Sequence, residues 1–168
     1  PIPSNQPLPM KTQLQWKSPF FSNSFQILSG NNLVGMLKEH PWKQTAYGEI
    51  NGKKFNFVTK GFFSQETLVF NADTAELLAT ISFNSWHTKA SVIFPGGKTY
   101  TWQYNNLWNT RWSLTDFQET FIQYHGSSGK GSIESDNPDD MLILTGLFIT
   151  NYYWQITLAV LLVVFIPV

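Results

Sequence analysis

The last 28 residues, Met141 to Val168, contain no Asp, Glu, Lys, Arg or His. A run of that length cannot remain in water throughout, so any fold of this chain has to find apolar company for it. By length it meets the requirement for a transmembrane helix, about 20 apolar residues to cross ~30 Å of hydrocarbon. The rival reading is a helix that is apolar all round because protein surrounds it. The preceding Ser135-Asp136-Asn137-Pro138-Asp139-Asp140 has the chemistry of a helix start, with proline near the first turn and carboxylates facing the positive helix end. Orientation signals for a membrane anchor are missing: the nearest basic residue on the N-terminal side is Lys130, and none follows. Thr145, Thr150, Asn151, Gln155 and Thr157 interrupt the run and are easier to place where strands or a polar barrel mouth can pair with them. Val160, Val163, Val164 and Ile166 give the last stretch the character of a strand as much as of a helix.

Upstream the pattern is different. Pro1 to Pro19 holds five prolines and few large apolar residues, which predicts an extended tail. From Phe20 onward short alternating runs are separated by turn residues. In Ala46 to Val58, Asn51-Gly52 suits the positive backbone angles of a type I′ hairpin, and Phe55 and Phe57 alternate with Lys54 and Asn56. Further turns are predicted at Asn71 to Thr74, Pro95-Gly96-Gly97 and Gly126 to Gly131.

The middle of the chain is internally repetitive. Shifting Phe55–Phe70 by 24 positions sets Phe57 over Ile81, Phe62 over Trp86, Ser64 over Thr88, Leu68 over Val92 and Phe70 over Phe94, and a looser copy over Tyr100–Asp116 puts Trp108 in the place of Trp86. Each unit is strand, aromatic-bearing bend, strand, the pattern of a meander. So many strands expose edges unless the sheet closes, which predicts a barrel. At 168 residues the chain fits one domain: a tail over 1–19, then a single barrel over 20–168 that includes the hydrophobic segment.

These units, above all Phe57-Val58-Thr59-Lys60-Gly61-Phe62-Phe63-Ser64 followed by Thr67-Leu68-Val69-Phe70, and the acidic turn leading into Met141-Leu142-Ile143-Leu144-Thr145-Gly146-Leu147-Phe148, resemble the tubby C-terminal-like superfamily. That group includes tubby, the phospholipid scramblases and the LURP-one-related proteins. The resemblance covers roughly Phe20 to Gln155. It implies about twelve antiparallel strands closing around a hydrophobic C-terminal helix, with small bacterial members as the nearest kin. The basic phosphoinositide-binding pattern of tubby is not recognisable here, nor are the palmitoylated cysteines and calcium loop of animal scramblases.

Little in the sequence assembles into a reaction centre. Eleven basic and eleven acidic residues cancel, removing the positive field that nucleic-acid binders use. The chain has no cysteine, which excludes disulfides, thiolate metal sites and a thiol nucleophile. It begins at proline rather than methionine, leaving a removed leader or a truncated fragment open, and no signal-peptide pattern is visible. His40, His87 and His125 lie in no metal-ligand spacing, and the acidic turn lacks calcium-loop spacing. Gly126 to Gly131 fails as a phosphate loop, because Tyr124 stands where a glycine is needed and Gly131 where Ser or Thr is needed. Ser127, Ser128, Asp116 and His125 lack a nucleophile-elbow pattern. The pairs Asp116/Glu119 and Glu134/Asp136 are the carboxylates a glycosidase reading would nominate.

The expectation is therefore a non-catalytic module without cofactor or metal, cytoplasmic or membrane-associated, with no nucleic-acid partner and with anionic phospholipid, a membrane surface or a protein as its partner. Lys53, Lys54 and Lys60 form the densest basic group and are the headgroup candidates, at about 1 kcal/mol each near a charged leaflet. Trp102 alternates with Tyr100 and Tyr104 as a buried face, whereas Trp86 and Trp108 fall at the repeated bends and are the candidate exposed aromatics. The alternatives are a tail-anchored protein with a soluble β head and a small glycan-active enzyme.

Overall fold

A computed structural model describes residues 11–19, 22–40, 43–61, 64–116, 121–127, 129–136 and 139–166. Twelve strands precede one helix: β1 (Thr12–Lys17), β2 (Ser24–Ser29), β3 (Asn32–His40), β4 (Thr45–Ile50), β5 (Lys53–Lys60), β6 (Glu66–Asn71), β7 (Leu77–Phe83), β8 (Lys89–Ile93), β9 (Thr99–Tyr104), β10 (Arg111–Thr115), β11 (Phe121–Ser127), β12 (Lys130–Ser135) and α1 (Asp140–Phe165). Each strand pairs antiparallel with its neighbours in sequence, and β1 pairs with β12 to close the ring. Closure removes the free edges that so many strands would otherwise expose.

Side chains alternate across the barrel wall as the strand period requires. Phe55 and Phe57 are buried while Lys54 and Asn56 face out; Tyr100 and Trp102 are buried. Asn51 and Gly52 have φ of 50° and 79°, the two positive angles of a type I′ turn. The 24-residue repeat aligns the first strand of each unit correctly, with Phe57 and Ile81 both in the core. It slips in the second: Val92 is buried, but on β6 the inward residue is Val69 rather than Leu68. A displacement by one residue moves a side chain to the other face. Phe62 lies outside the described residues.

The predicted tail over 1–19 is corrected in part. Thr12–Lys17 is a strand of the barrel, with Leu14 and Trp16 buried between outward Gln13, Gln15 and Lys17; residues 1–10 lie outside the described set. Trp16 finds room because it crosses two paired glycines. A Cβ on Gly126 would sit 2.1 Å from its ring, and one on Gly131 would sit 2.6 Å from its indole nitrogen. The indole N–H donates to the His125 carbonyl at 3.2 Å. These glycines therefore belong to strand ends around a tight hairpin turn.

The hydrophobic segment is one continuous helix, and the barrel encloses only its first half. Asp139 caps it, accepting from the Leu142 amide at 3.0 Å. From Met141 to Asn151 every residue is buried; Tyr124 from the wall donates to the carbonyls of Leu142 and Ile143, and Phe57 stacks on Phe148 at 4.7 Å. Thr145, Thr150 and Thr157 satisfy their hydroxyls on their own helix, at the carbonyls of Met141, Gly146 and Tyr153, a bond open to threonine within any helix. From Thr157 to Ile166 every residue is exposed.

Candidate functional site at the exit end of the barrel

Because α1 enters the barrel beside the β4–β5 turn and leaves beside β3 and β8, the two ends differ. At the entry end Asp140 pairs with Lys53 at 3.1 Å and accepts from the Asn51 side chain at 3.1 Å. At the exit end a collar of rings grips the helix. Trp154 meets Trp16 and Trp112 at 6.1 and 5.7 Å, Tyr153 meets Trp102 at 5.3 Å, and Tyr152 stacks on Phe83 at 3.9 Å. Tyr153 also donates to the Lys89 carbonyl at 2.5 Å, and Tyr152 to the Gln65 side chain. These contacts fix the angle at which the rest of the helix leaves the barrel.

Beyond the collar the helix is apolar on all sides. Leu158, Val160, Leu161, Leu162, Val163, Val164, Phe165 and Ile166 are each about half exposed or more. At 1.5 Å per residue the stretch from Thr157 to Phe165 reaches about 14 Å, or about half the hydrocarbon thickness of a bilayer. By length and composition α1 as a whole is long enough to cross a membrane, but its first half is occupied by the barrel.

Two loops with one construction flank this projection. Asn84-Ser85-Trp86-His87-Thr88-Lys89 joins β7 to β8, and Asn106-Leu107-Trp108-Asn109-Thr110-Arg111 leads from β9 into β10. In the first, the Asn84 side-chain oxygen accepts from the amides of Thr88 and Lys89 at 3.0 and 3.2 Å, and its nitrogen donates to the Thr88 hydroxyl at 3.1 Å. In the second, Asn106 accepts from the amides of Thr110 and Arg111, both at 3.1 Å, and donates to the Thr110 hydroxyl at 2.7 Å. His87 and Asn109 both hold positive φ, 56° and 54°. The asparagine buttress leaves the tryptophan at the tip, and Trp86 and Trp108 are 83% and 86% exposed; Leu107 is 97% exposed.

Charge is distributed unequally between the ends. The exit half carries Lys17, Lys38, Lys43, Lys60, Lys89, Arg111 and Lys130 against Glu39 and Glu66. Among the described residues the entry half carries Lys11, Lys53, Lys54 and Lys98 against eight carboxylates, from Glu49 and Asp73 through Asp140. The neutral chain is therefore polarised, and its basic end is the one from which the apolar helix emerges.

The three candidate lysines are not brought together. Lys53 and Lys54 start β5 at the entry end, where Lys53 is tied to Asp140, whereas Lys60 ends the same strand at the exit, about 20 Å away at 3.3 Å per residue. Nor is the Ser127, Asp116 and His125 set assembled. Asp116 pairs with Lys98 at the entry end while His125 and Ser127 lie near the exit. Ser128 and Glu119 fall outside the described residues. Among the described residues no three His, Asp or Glu side chains cluster as a metal site.

A cavity of about 240 Å³ opens at the exit between α1 and strands β3 to β6, with Glu39, His40, Gln65, Tyr152 and Gln155 in its lining. Glu39 occupies an inward position of β3 and is buried. One carboxylate oxygen accepts from the Gln155 side chain at 2.8 Å. Burial lifts this carboxyl above its ordinary range, and the side-chain amides of Asn151 and Gln155 pull it part of the way back.

No family model matches the chain, and neither the curated proteins nor the solved structures yield a match.

Proposed function

We propose that this protein is a non-catalytic, tubby-like membrane-docking barrel that seats its exit end on an anionic leaflet and buries the projecting half of α1 in it. One observation carries the reading: the apolar helix end leaves the barrel at the end where basic residues outnumber acidic ones seven to two. Eight large apolar side chains stand about half exposed or more. At about 1.5–3 kcal/mol per fully buried side chain, moving them into hydrocarbon yields on the order of 10 kcal/mol. Trp86 and Trp108 stand where the headgroup layer would lie, a depth that suits a ring with one polar edge. The outward Lys60, Lys89 and Arg111 would face lipid phosphates, a field falling off within ~8 Å at physiological salt. Twelve strands around a C-terminal helix are also what the tubby-like resemblance implies, which supports kinship of architecture.

Flotation of the full chain with vesicles of phosphatidylcholine, alone or mixed with phosphatidylglycerol, tests the reading. The wild type floats with the mixed vesicles, and the paired change Leu158→Asp with Leu162→Asp abolishes flotation without lowering the thermal midpoint, because neither residue touches the barrel core. Equal flotation of the double variant would remove the docking role from α1.

A further inference from the structure

We propose that the outer wall of the barrel over β1, β12 and β11 holds a binding site for a phosphate monoester. Its place on the exit rim makes a lipid headgroup the expected carrier, a source that rests on the docking reading above; the chemistry of the site does not.

The site follows from strand register. Lys17 stands directly opposite Lys130, and Lys130 directly opposite Ser127. In the next outward row, Gln15 stands opposite Ser132, and Ser132 opposite His125. All six side chains are outward and exposed. Two rows of three therefore share one face, with partners about 5 Å apart, and they line a cleft of about 420 Å³. Lys17 ends β1, Ser127 ends β11 and Lys130 begins β12, so the lysine row lies on the rim from which α1 emerges.

Like charges directly opposite one another on a sheet are destabilising. On the same rim Lys60 is paired in the favourable sense, opposite Glu66. Lys17 and Lys130 have no such partner: among the described residues neither forms an ion pair, and no carboxylate lines the cleft. Glu134, the next outward residue of β12 after Ser132, lies outside that lining. On the far side Arg111 stands opposite His125 and adds another cation at the margin. An anion seated between the two ammonium groups replaces their repulsion with two charge-assisted hydrogen bonds.

The neutral groups decide which anion fits. Ser127 and Ser132 bring hydroxyls, Gln15 an amide and His125 a ring N–H. A phosphate monoester carries close to two negative charges and three strong acceptor oxygens at neutral pH, which matches a lysine pair set among neutral donors. A diester carries a single charge and leaves that pair half compensated. The hairpin from Gly126 to Gly131 lacks phosphate-loop spacing, but its strands place Ser127, Lys130 and Ser132 on one face. Phosphate would be held by side chains on a sheet and not by a nest of backbone amides.

The test uses the full chain. In the first arm, amide spectra are followed while inorganic phosphate, glycerol 3-phosphate or dimethyl phosphate is added at constant ionic strength. Saturable shifts at Ser127, Lys130 and Ser132 are expected with the first two, at least tenfold weaker with the diester, and lost in the paired change Lys17→Gln with Lys130→Gln. Both lysines are exposed, so the variant should keep the fold, with a thermal midpoint at or above that of the wild type; phosphate should raise the midpoint of the wild type alone. The second arm compares phosphatidylcholine vesicles carrying phosphatidic acid or phosphatidylglycerol, matched in zeta potential. The wild type is expected to bind the phosphatidic acid vesicles at least threefold more tightly, and the paired variant to bind both equally. Saturable shifts without vesicle binding support the site and assign it a soluble ester, in which case it is the docking reading that fails. No saturable shift with either monoester, or shifts and lipid preference unchanged in the paired variant, overturns the proposal.

Discussion

The hydroxyl of Tyr124 lies against Gly146, where a Cβ atom would stand 2.1 Å from it. That contact joins the barrel wall to the helix it encloses, for the same hydroxyl is shared between the carbonyls of Leu142 and Ile143 at 3.2 and 2.9 Å. Glycine is required here by space alone, since the residue lies inside a regular helix. The Tyr124 ring is itself packed in the core, stacked on Trp112 with centroids 5.7 Å apart.

Gly146→Ala is expected to destabilise the barrel by about 1–3 kcal/mol, the usual cost of overpacking. Ala ordinarily favours a helix over Gly, so a loss here isolates the clash. Adding Tyr124→Phe removes the nearest of the atoms in the way but leaves two ring carbons at 2.3 and 2.7 Å, so it should recover only a small part of the loss, a non-additivity read from urea melts of the four combinations. If Gly146→Ala is neutral or stabilising, the helix does not sit at the depth described.

Chymotrypsin should distinguish the two halves of α1. It is expected to cut between Leu158 and Phe165 in the free protein, and to spare Tyr152, Tyr153 and Trp154, which are held by the aromatic collar. Local opening, rather than sequence preference, limits cleavage of packed helix. Anionic vesicles should then protect the outer sites. Cleavage at Tyr153 as fast as at Leu161 would mean that the collar does not grip.

Charge reversal should expose the polarity of the barrel. Lys60→Glu and Lys89→Glu are each expected to weaken binding to anionic vesicles at least fivefold, from about 1 kcal/mol per basic residue near the surface, with a shallower salt dependence. Lys54→Gln, at the opposite end, should leave binding unchanged. Vesicle sedimentation over a salt series reads all three. An equal effect of Lys54 and Lys60 would place the membrane on the side of the barrel and not at its exit.

Much of this architecture was legible in the chain. Alternation around Phe55 and Phe57, the Asn51-Gly52 turn and the charge-free tail point to a barrel and its helix, because strand period, turn angle and hydropathy are local properties. The site was less so. A cluster of Lys53, Lys54 and Lys60 is close in sequence, but an extended strand carries its two ends far apart, and only Lys60 reaches the exit. Summed charge concealed the polarity, since Lys17, Lys43, Lys89, Arg111 and Lys130 come together only when the meander folds back on itself. Alternate hairpin ends collect at one rim. The aromatic bends were visible as Trp86 and Trp108, yet the signal that defines the loops is the frame around them, Asn-x-Trp-x-Thr followed by a basic residue. Glu39 gave no signal; a single acid at an inward position is apparent only once β3 has a register. The division of the tail was also hidden, because the same apolar composition serves the core and the projecting half.

The tryptophan loops should act through rigidity as well as area. Trp86→Ala and Trp108→Ala are each expected to weaken vesicle binding by roughly tenfold, equivalent to about 1.4 kcal/mol, without changing the melting midpoint, since both rings are exposed. Asn84→Ala keeps the ring but removes the three hydrogen bonds that hold the loop. It should therefore lose part of the Trp86 contribution through the added cost of ordering. Blue-shifted tryptophan emission on vesicle addition, diminished in the single variants, provides the direct reading. Unaltered affinity in both would confine membrane contact to α1.

Glu39 makes stability depend on pH in a predictable direction. Its folded carboxyl titrates above the ordinary 4.5 because burial penalises the charge, an effect only partly offset by Asn151 and Gln155. Between those two values the folded protein holds a proton that the unfolded chain has released, so unfolding gives up protons and stability falls as pH rises through the window. The contribution is complete below 4.5 and is lost once the pH passes the folded value. Glu39→Gln removes the titration and keeps a neutral polar side chain. The variant should consequently gain on the wild type as pH climbs from about 4, and the gap should level off once Glu39 is ionised in both states. Taking the difference between paired melts cancels His40 and every other group common to the two proteins. A gap that stays constant across the range would mean that Glu39 is hydrated.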